Sequence, residues 1–300
     1  MRPLKVGVQL PEVEREVGWP ELRDMIIAIE DSGFDSIWVG DHLMYRMPDG
    51  STRGPWETWS TLAAIAAITS RVELGPFVAC TAFLNPGLLA KKAATIDEIS
   101  GGRLVLGLGA GWNQAEFTAY GIAFDQPVAR FEEAFTIIRT LLHDGRIHFD
   151  GRFYQARDLE LLPRGPRPEG PPLMVGTTGE RMLRITLPHV ASWNVWYRYT
   201  GNTPEGVRPH RDLVDRVAAE VGRAPGAVER TAAVLVRASG GRGRETGGDV
   251  VPLSGPPAAI ADGLRAYAAE GVGHVQLVID PITVAGIEEV ARALPILDTA

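Results

Sequence analysis

Residues 172–196 read PLMVGTTGERMLRITLPHVASWNVW. A short apolar run, Pro172–Gly176, gives way to a turn of small residues. A segment of helical spacing follows over Gly179–Leu187, and a second apolar run, Ala191–Val195, closes the stretch. Taken with the chain's other strand-like runs, they are almost wholly apolar rather than alternating, as strands covered on two faces should be. Two such strands joined by a helix, with no hairpin turn between them, pair in parallel. The stretch is therefore one strand–helix–strand unit.

The same unit recurs on either side. Strand-like runs lie at Leu4–Gln9, Ser36–Val39, Val72–Val78, Arg103–Leu108, Thr231–Arg237 and His274–Ile279, which with the first two makes eight. Helical patterns separate them at Trp19–Ser32, Glu57–Ser70, Pro86–Ile99, Arg130–Leu142, Glu205–Val221, Pro257–Glu270 and Thr283–Leu294. In the first of these, Leu22, Ile26 and Ile29 share a face. Eight strand–helix pairs predict a single α/β domain, a (β/α)8 TIM barrel. Ser32-Gly33 reads as the end of the first helix. Ser254, followed by Pro256 and Pro257, reads as a cap with proline in the first turn. Two segments break the rhythm. Asp144–Pro171 contains the hairpin signal Asp150-Gly151 and is expected to be an insertion after the fourth unit, forming a lid or wall over the barrel mouth. Ser239–Asp249 (SGGRGRETGGD) reads as a flexible loop.

Composition narrows the function. The chain has 300 residues, 45% of them hydrophobic and 22% charged, as an ordinary globular enzyme has. Its net charge of −7, with no block of Lys or Arg, argues against nucleic acid or an anionic membrane as partner. No apolar run reaches the roughly 18 residues of a spanning helix, and no secretory h-region is recognisable. The single cysteine, Cys80, permits no intrachain disulfide and fits a reducing cytoplasm. It reads as a small buried hydrophobe rather than a nucleophile. No cluster of His, Cys, Asp and Glu has the spacing of a metal site, and no GxSxG or Cys–His pairing suggests an acyl enzyme.

In such a barrel the chemistry belongs to the loops after the strands. The turn Gly176-Thr177-Thr178-Gly179 runs straight into a helix, so its backbone N–H groups suit a phosphate; a plain tight turn explains it equally well. Gly107-Leu108-Gly109-Ala110-Gly111 approaches a dinucleotide loop without satisfying GxGxxG in its usual context. Its glycines are expected to let a planar ring, or the chain attached to it, approach the backbone. His42 can hold or release a proton near neutral pH, or it can be a structural histidine paired with Asp41. Trp56, Trp59, Trp112, Trp193 and Trp196 cluster near strand ends and suggest planar pocket walls. Arg198 either meets an anionic substrate or is a solvated rim residue.

Three blocks together carry a family resemblance: FDSIWVGDHL (Phe34–Leu43), ISGGRLVLGLGAGWNQAEFTAYGIAFD (Ile99–Asp125) and the opening stretch. The chain resembles, over about residues 4–295, the luciferase-like monooxygenase superfamily, and within it the branch that uses the deazaflavin coenzyme F420. The resemblance implies that His42 lies beside the reactive face of the deazaflavin, with Asp41 among the cofactor contacts. It implies that Phe77-Val78 forms a bulge, often with a non-prolyl cis peptide, behind the ring. Ala110, Gly111 and Asn113 would flank the polyol chain, and Gly176, Thr177, Thr178 and Gly179 would bind the phosphate. Trp112 stands where sugar-phosphate-oxidising relatives carry an acidic proton donor, and lysine is scarce after Lys92. An apolar small-molecule substrate, walled by Trp112, Trp56, Trp196 and Arg198, is therefore expected in place of a sugar phosphate. The expected activity is hydride transfer with F420. The alternatives are an FMN-dependent monooxygenase served by a flavin reductase, and a non-catalytic flavin-binding barrel. Relatives also lead to the expectation of a homodimer.

Overall fold

A computed structural model describes residues 2–242 and 250–299. The strands run β1 Lys5–Gln9, β2 Ser36–Val39, β3 in two pieces (Glu73–Pro76 and Ala79–Cys80), β4 Leu106–Gly109, β5 Leu173–Gly176, β6 Ser192–Val195, β7 Glu229–Arg237 and β8 His274–Asp280. Each pairs in parallel with the next, and β8 pairs back on β1, with Lys5 opposite His274 and Val8 opposite Leu277. Closure between β3 and β4 rests on Leu74. Its N–H donates to Arg103 O at 3.1 Å, and its carbonyl accepts from Val105 N–H at 2.8 Å. The predicted eight-stranded barrel is thus observed.

Strand side chains divide into two layers. Val6, Val8, Ile37, Leu74, Leu106, Leu108, Val175, Val234 and Leu277 are buried against the surrounding helices. Trp38, Phe77, Met174, Ala233, Leu235 and Val278 form a second cluster inside the barrel. This two-sided burial is why the strands carry no polar alternation.

The helices are α1 Trp19–Asp31, α2 Thr58–Ile68, α3 Pro86–Ser100, α4 Gln114–Ala119, α5 Pro127–Asp144, α6 Glu180–Thr186, α7 Pro204–Glu220, α8 Pro257–Ala269, α9 Val284–Ala291 and α10 Leu294–Asp298. Asn85 caps α3 by accepting from Gly87 N–H at 2.9 Å and Leu88 N–H at 3.3 Å, with Pro86 in the first turn. Such a cap contributes about 1 kcal/mol. Ser32 and Gly33, the latter at φ +85°, end α1 as predicted. The reading of Ser254 as a cap is corrected: Pro256 occupies the cap position of α8 with no side-chain hydrogen bond, and Ser254 pairs with Arg237 of β7. The short helix α4 was not foreseen.

The insertion contains the expected antiparallel hairpin, Arg146–Asp150 against Gln155–Glu160. Its attachments lie along the helical flank. Glu133 of α5 accepts the N–H groups of Arg152, Phe153 and Tyr154, and Arg167 pairs with Asp97 of α3 and reaches Leu104 O. The segment is thus fastened along α3 and α5. Most of the expected flexible loop, 243–249, lies outside the described residues. Among the described residues no helix is long and apolar enough to cross a membrane.

Candidate active site

The turn after β2 is tied down before it presents any chemistry. Thr58 of α2 donates its hydroxyl to Gly40 O at 2.8 Å, and the Asp41 carboxylate accepts Cys80 N–H at 2.8 Å. Asp41 therefore latches β2 to β3 and is spent on the fold. Burial pushes its pKa up to about 6, although Cys80 N–H, the Thr58 hydroxyl and His42 all oppose the shift.

Those anchors hold His42 between two carboxylates. Its Nδ1 lies 2.9 Å from Glu116 Oε1, and its Nε2 lies 3.7 Å from Glu12 Oε1. The side chains are 15% (His42), 1% (Glu116) and 8% (Glu12) exposed. Glu116 also accepts the N–H groups of Leu43 at 2.8 Å and Met44 at 3.4 Å, so its burial is compensated. Glu12 accepts from the Tyr45 hydroxyl at 3.1 Å and from Gln9 Nε2 at 3.5 Å. Burial alone would lower the His42 pKa. The hydrogen bond to Glu116 and the charges of Glu12, Glu116 and Asp41 outweigh it, and the imidazolium persists above its ordinary range.

Beside this acidic nest stands an apolar wall. The Phe77–Val78 peptide is cis and splits β3. Phe77 packs between Trp38, 5.5 Å away, and Trp196, 5.9 Å away. The Val78 side chain turns into the ends of β4 and β5. A Cβ on Gly109 would lie 2.7 Å from Val78 Cγ2, and one on Gly176 would lie 3.1 Å from it. Gly111, at φ +80°, faces Cys80 Sγ, which a Cβ would approach to 2.6 Å. These glycines make room for Val78 and Cys80. Cys80 itself is buried, and burial drives its thiol pKa far up, so it is no nucleophile.

The other expected residues fall into three groups. Trp112 joins the histidine, with its ring 5.5 Å from His42 and 6.1 Å from Tyr45, and it is 67% exposed. Asn113 donates its amide to Met44 O at 2.9 Å, and Ala110 packs on the core, so both shape the loop. Trp196 joins the apolar wall, whereas Trp193 and Trp59 are core. The Thr177–Gly179 turn is partly self-satisfied: Gly179 N–H donates to Thr177 Oγ1 at 3.1 Å, and Thr177 O accepts the Trp193 indole at 2.6 Å. Arg198 is exposed. Trp56 donates its indole N–H to Val17 O at 2.7 Å and lines a groove of about 290 Å³ with Leu10, Val17, Leu22 and Glu12, the last of which also faces His42. A larger cleft of about 410 Å³, between α5 and the hairpin, contains none of these groups.

Glu12 and Glu116 were missed from sequence. Glu12 sits in PEVEREVGW, where three glutamates look alike as a solvated run. Glu116 carried a usable signal, because it is the one charged residue between Gly109 and Phe124. Among the described residues no group of His, Cys, Asp and Glu could hold a metal ion.

The model of the luciferase-like monooxygenase family matches residues 5–242. The chain belongs to the luciferase-like monooxygenase family. A relative from Archaeoglobus fulgidus, a 5,10-methylenetetrahydromethanopterin reductase, is 33% identical over 183 residues, covering 61% of this chain and 50% of that protein. An F420-dependent glucose-6-phosphate dehydrogenase from Kineococcus radiotolerans is 34% identical over 174 residues, covering 56% and 49%. The chain thus spans about half the length of the curated relatives it matches. An F420-dependent secondary alcohol dehydrogenase, solved with an F420–acetone adduct, superposes with TM-score 0.83 over 99% of both chains at 16% identity. The oxygenating constituent of 3,6-diketocamphane monooxygenase from Pseudomonas putida, solved with FMN, gives 0.76 over 97% of both at 14% identity. At these identities the structural likeness concerns the luciferase-like fold.

Proposed function

We propose that the chain is an F420-dependent oxidoreductase that moves hydride between the deazaflavin and a small, largely apolar organic substrate. The observation that carries this reading is His42, held between the carboxylates of Glu116 and Glu12 at the barrel mouth, next to a wall of Phe77, Val78 and Trp196. Hydride chemistry needs a dry planar seat and one adjacent group that can hold a proton. The donor set fits that need: an imidazole and two carboxylates, with an apolar wall beside them and the Cys80 thiol buried out of reach.

In this reading Phe77, Val78 and Trp196 back the ring system, Ala110 borders its chain, and the Gly176–Gly179 turn receives the phosphate. Bound F420 supplies or accepts the hydride. His42 handles the proton. When a carbonyl or imine is reduced, its carbon gains hydride and its heteroatom gains the proton that the imidazolium releases from Nε2. In the reverse direction neutral His42 takes that proton back. A positioned general acid of this kind contributes roughly 10²–10⁴ in rate. Because its partners raise the His42 pKa, reduction keeps its acid to higher pH than an ordinary histidine would allow and declines as pH climbs past the raised value.

Trp112 and Tyr45 shield the ring of His42 and supply aromatic surface to a substrate. With a tryptophan there, the site suits an apolar ketone, imine or secondary alcohol. The reading is tested by anaerobic turnover with reduced F420 and a panel of small ketones and imines, followed at the deazaflavin absorbance. Turnover that needs no oxygen is expected. Turnover only with reduced FMN and oxygen would replace this reading with that of a monooxygenase supplied by a flavin reductase.

A further inference from the structure

The segment Asn113–Glu116 and the loop His42–Met44 are stitched together by four hydrogen bonds. Glu116 Oε1 pairs with His42 Nδ1, its Oε2 accepts from Leu43 and Met44 N–H, and Asn113 Nδ2 donates to Met44 O. Phe117, the next residue, is buried against Phe83 at 5.1 Å and Phe124 at 4.9 Å, which anchors the six-residue helix. A buried carboxylate on so short a helix is costly unless its partners need it. Here its partners are the loop that carries the histidine and the histidine itself.

We propose that Glu116 is the positioning residue of the site: it sets the ring orientation and tautomer of His42, so that the ring exchanges its proton through Nε2. The inference deepens the reading of His42 as the proton carrier and rests on it. Backbone amides can only donate, so Oε2 is committed to Leu43 and Met44. Oε1 then accepts from the ring, which fixes a hydrogen on Nδ1. Nε2, 3.7 Å from Glu12 Oε1, is the position left to gain or lose a proton. The groups that face the ring come from several elements: Glu12 after β1, Asp41 in its own turn, Tyr45 beyond that turn, Trp112 after β4 and Glu116 on α4.

Glu116→Gln separates positioning from mere packing because it keeps shape and volume. Its amide oxygen must stay on the two backbone N–H groups, so its NH₂ turns toward His42 Nδ1. That nitrogen must then accept, and the neutral ring carries its hydrogen on Nε2 instead.

The test is ¹⁵N NMR of the histidine rings in the full chain without cofactor, across pH 5–10. Loss of one signal in His42→Gln assigns His42 among the six histidines. The wild-type neutral ring is expected with its hydrogen on Nδ1. In Glu116→Gln the tautomer should reverse and the pKa should fall by roughly one unit or more. The pH midpoint of reductive turnover should move down with it while F420 affinity stays within about twofold. A wild-type neutral ring with hydrogen on Nε2 would overturn the proposal, as would a Glu116→Gln spectrum unchanged in pKa and tautomer. The wild-type spectrum decides by itself if the variant does not fold. Failure of the wild type to bind F420 would strike the cofactor reading instead, and these spectra would still decide the role of Glu116.

Discussion

Two histidines stand at opposite ends of the same barrel, and their surroundings differ in every respect that matters. His42, after the C-terminal end of β2, has carboxylates near both ring nitrogens and a raised pKa. His274, at the N-terminal end of β8, is fully enclosed. Its Nε2 lies 2.7 Å from Ser36 Oγ, which in turn accepts the Trp38 indole N–H at 2.7 Å. Burial pulls its pKa down to about 3, with Lys5 adding to the effect, so it stays neutral. Burial and the Lys5 charge both oppose a protonated ring, and no carboxylate offsets them. The mouth histidine is built to carry charge and the floor histidine to refuse it. The same residue type favours its charged form in one place and its neutral form in the other, and the difference lies in its neighbours.

The comparison breaks most visibly at its functional end. His42→Ala should lower turnover of the folded protein by roughly 10²–10⁴. A small loss of activity would mean that the proton travels elsewhere. At the structural end, His274→Ala leaves the Ser36 hydroxyl without its ring partner and opens a cavity, so it should cost roughly 2–4 kcal/mol in stability with kcat of the folded protein unchanged. The pH dependence sharpens the same contrast. The unfolded chain binds a proton at His274 near pH 6.5 and the folded chain only near 3. Stability that is full above pH 6.5 should therefore fall by about 1.4 kcal/mol per unit as pH drops toward 3. Denaturant melts at pH 4–6 should show a slope flatter by that amount in His274→Ala.

Asp41 supplies an intermediate case. Its folded pKa, about 6, lies above its ordinary 3.8. Ionising it costs more in the folded than in the unfolded chain, so stability is lost as pH rises from 3.8 through 6. Asp41→Asn keeps an acceptor for Cys80 N–H and should gain roughly 1–3 kcal/mol at pH 8, with no gain at pH 4. The smallest expected effect on the fold belongs to Trp112→Ala. With that side chain largely in solvent, stability should move by less than about 0.5 kcal/mol, while KM for an apolar substrate rises.

The barrel was legible because its strands are buried on two faces and so read as largely apolar runs, Val72–Val78 and Thr231–Arg237 among them. His42 stood out by its residue type and its place after β2, whereas the break in β3 was expected from the family resemblance. Helix α4 was invisible because six residues are too few to show a helical period. That blindness hid Glu116, whose importance comes from a loop about 70 residues earlier in the chain. Glu12 was hidden by its own company, since Glu14 and Glu16 share its loop. A sequence tells that space is needed at Gly109 and Gly111, but not that Val78 and Cys80 pack against them.

The central claim is the cofactor, and paired binding titrations of the purified chain with F420 and with FMN test it most directly. Both are read by quenching of tryptophan fluorescence, to which Trp196 beside Phe77 and Trp112 beside His42 should contribute. The account predicts saturable, tight binding of F420, with FMN at least about tenfold weaker, a difference of about 1.4 kcal/mol. Preference for FMN, or no saturable binding of either, would contradict it.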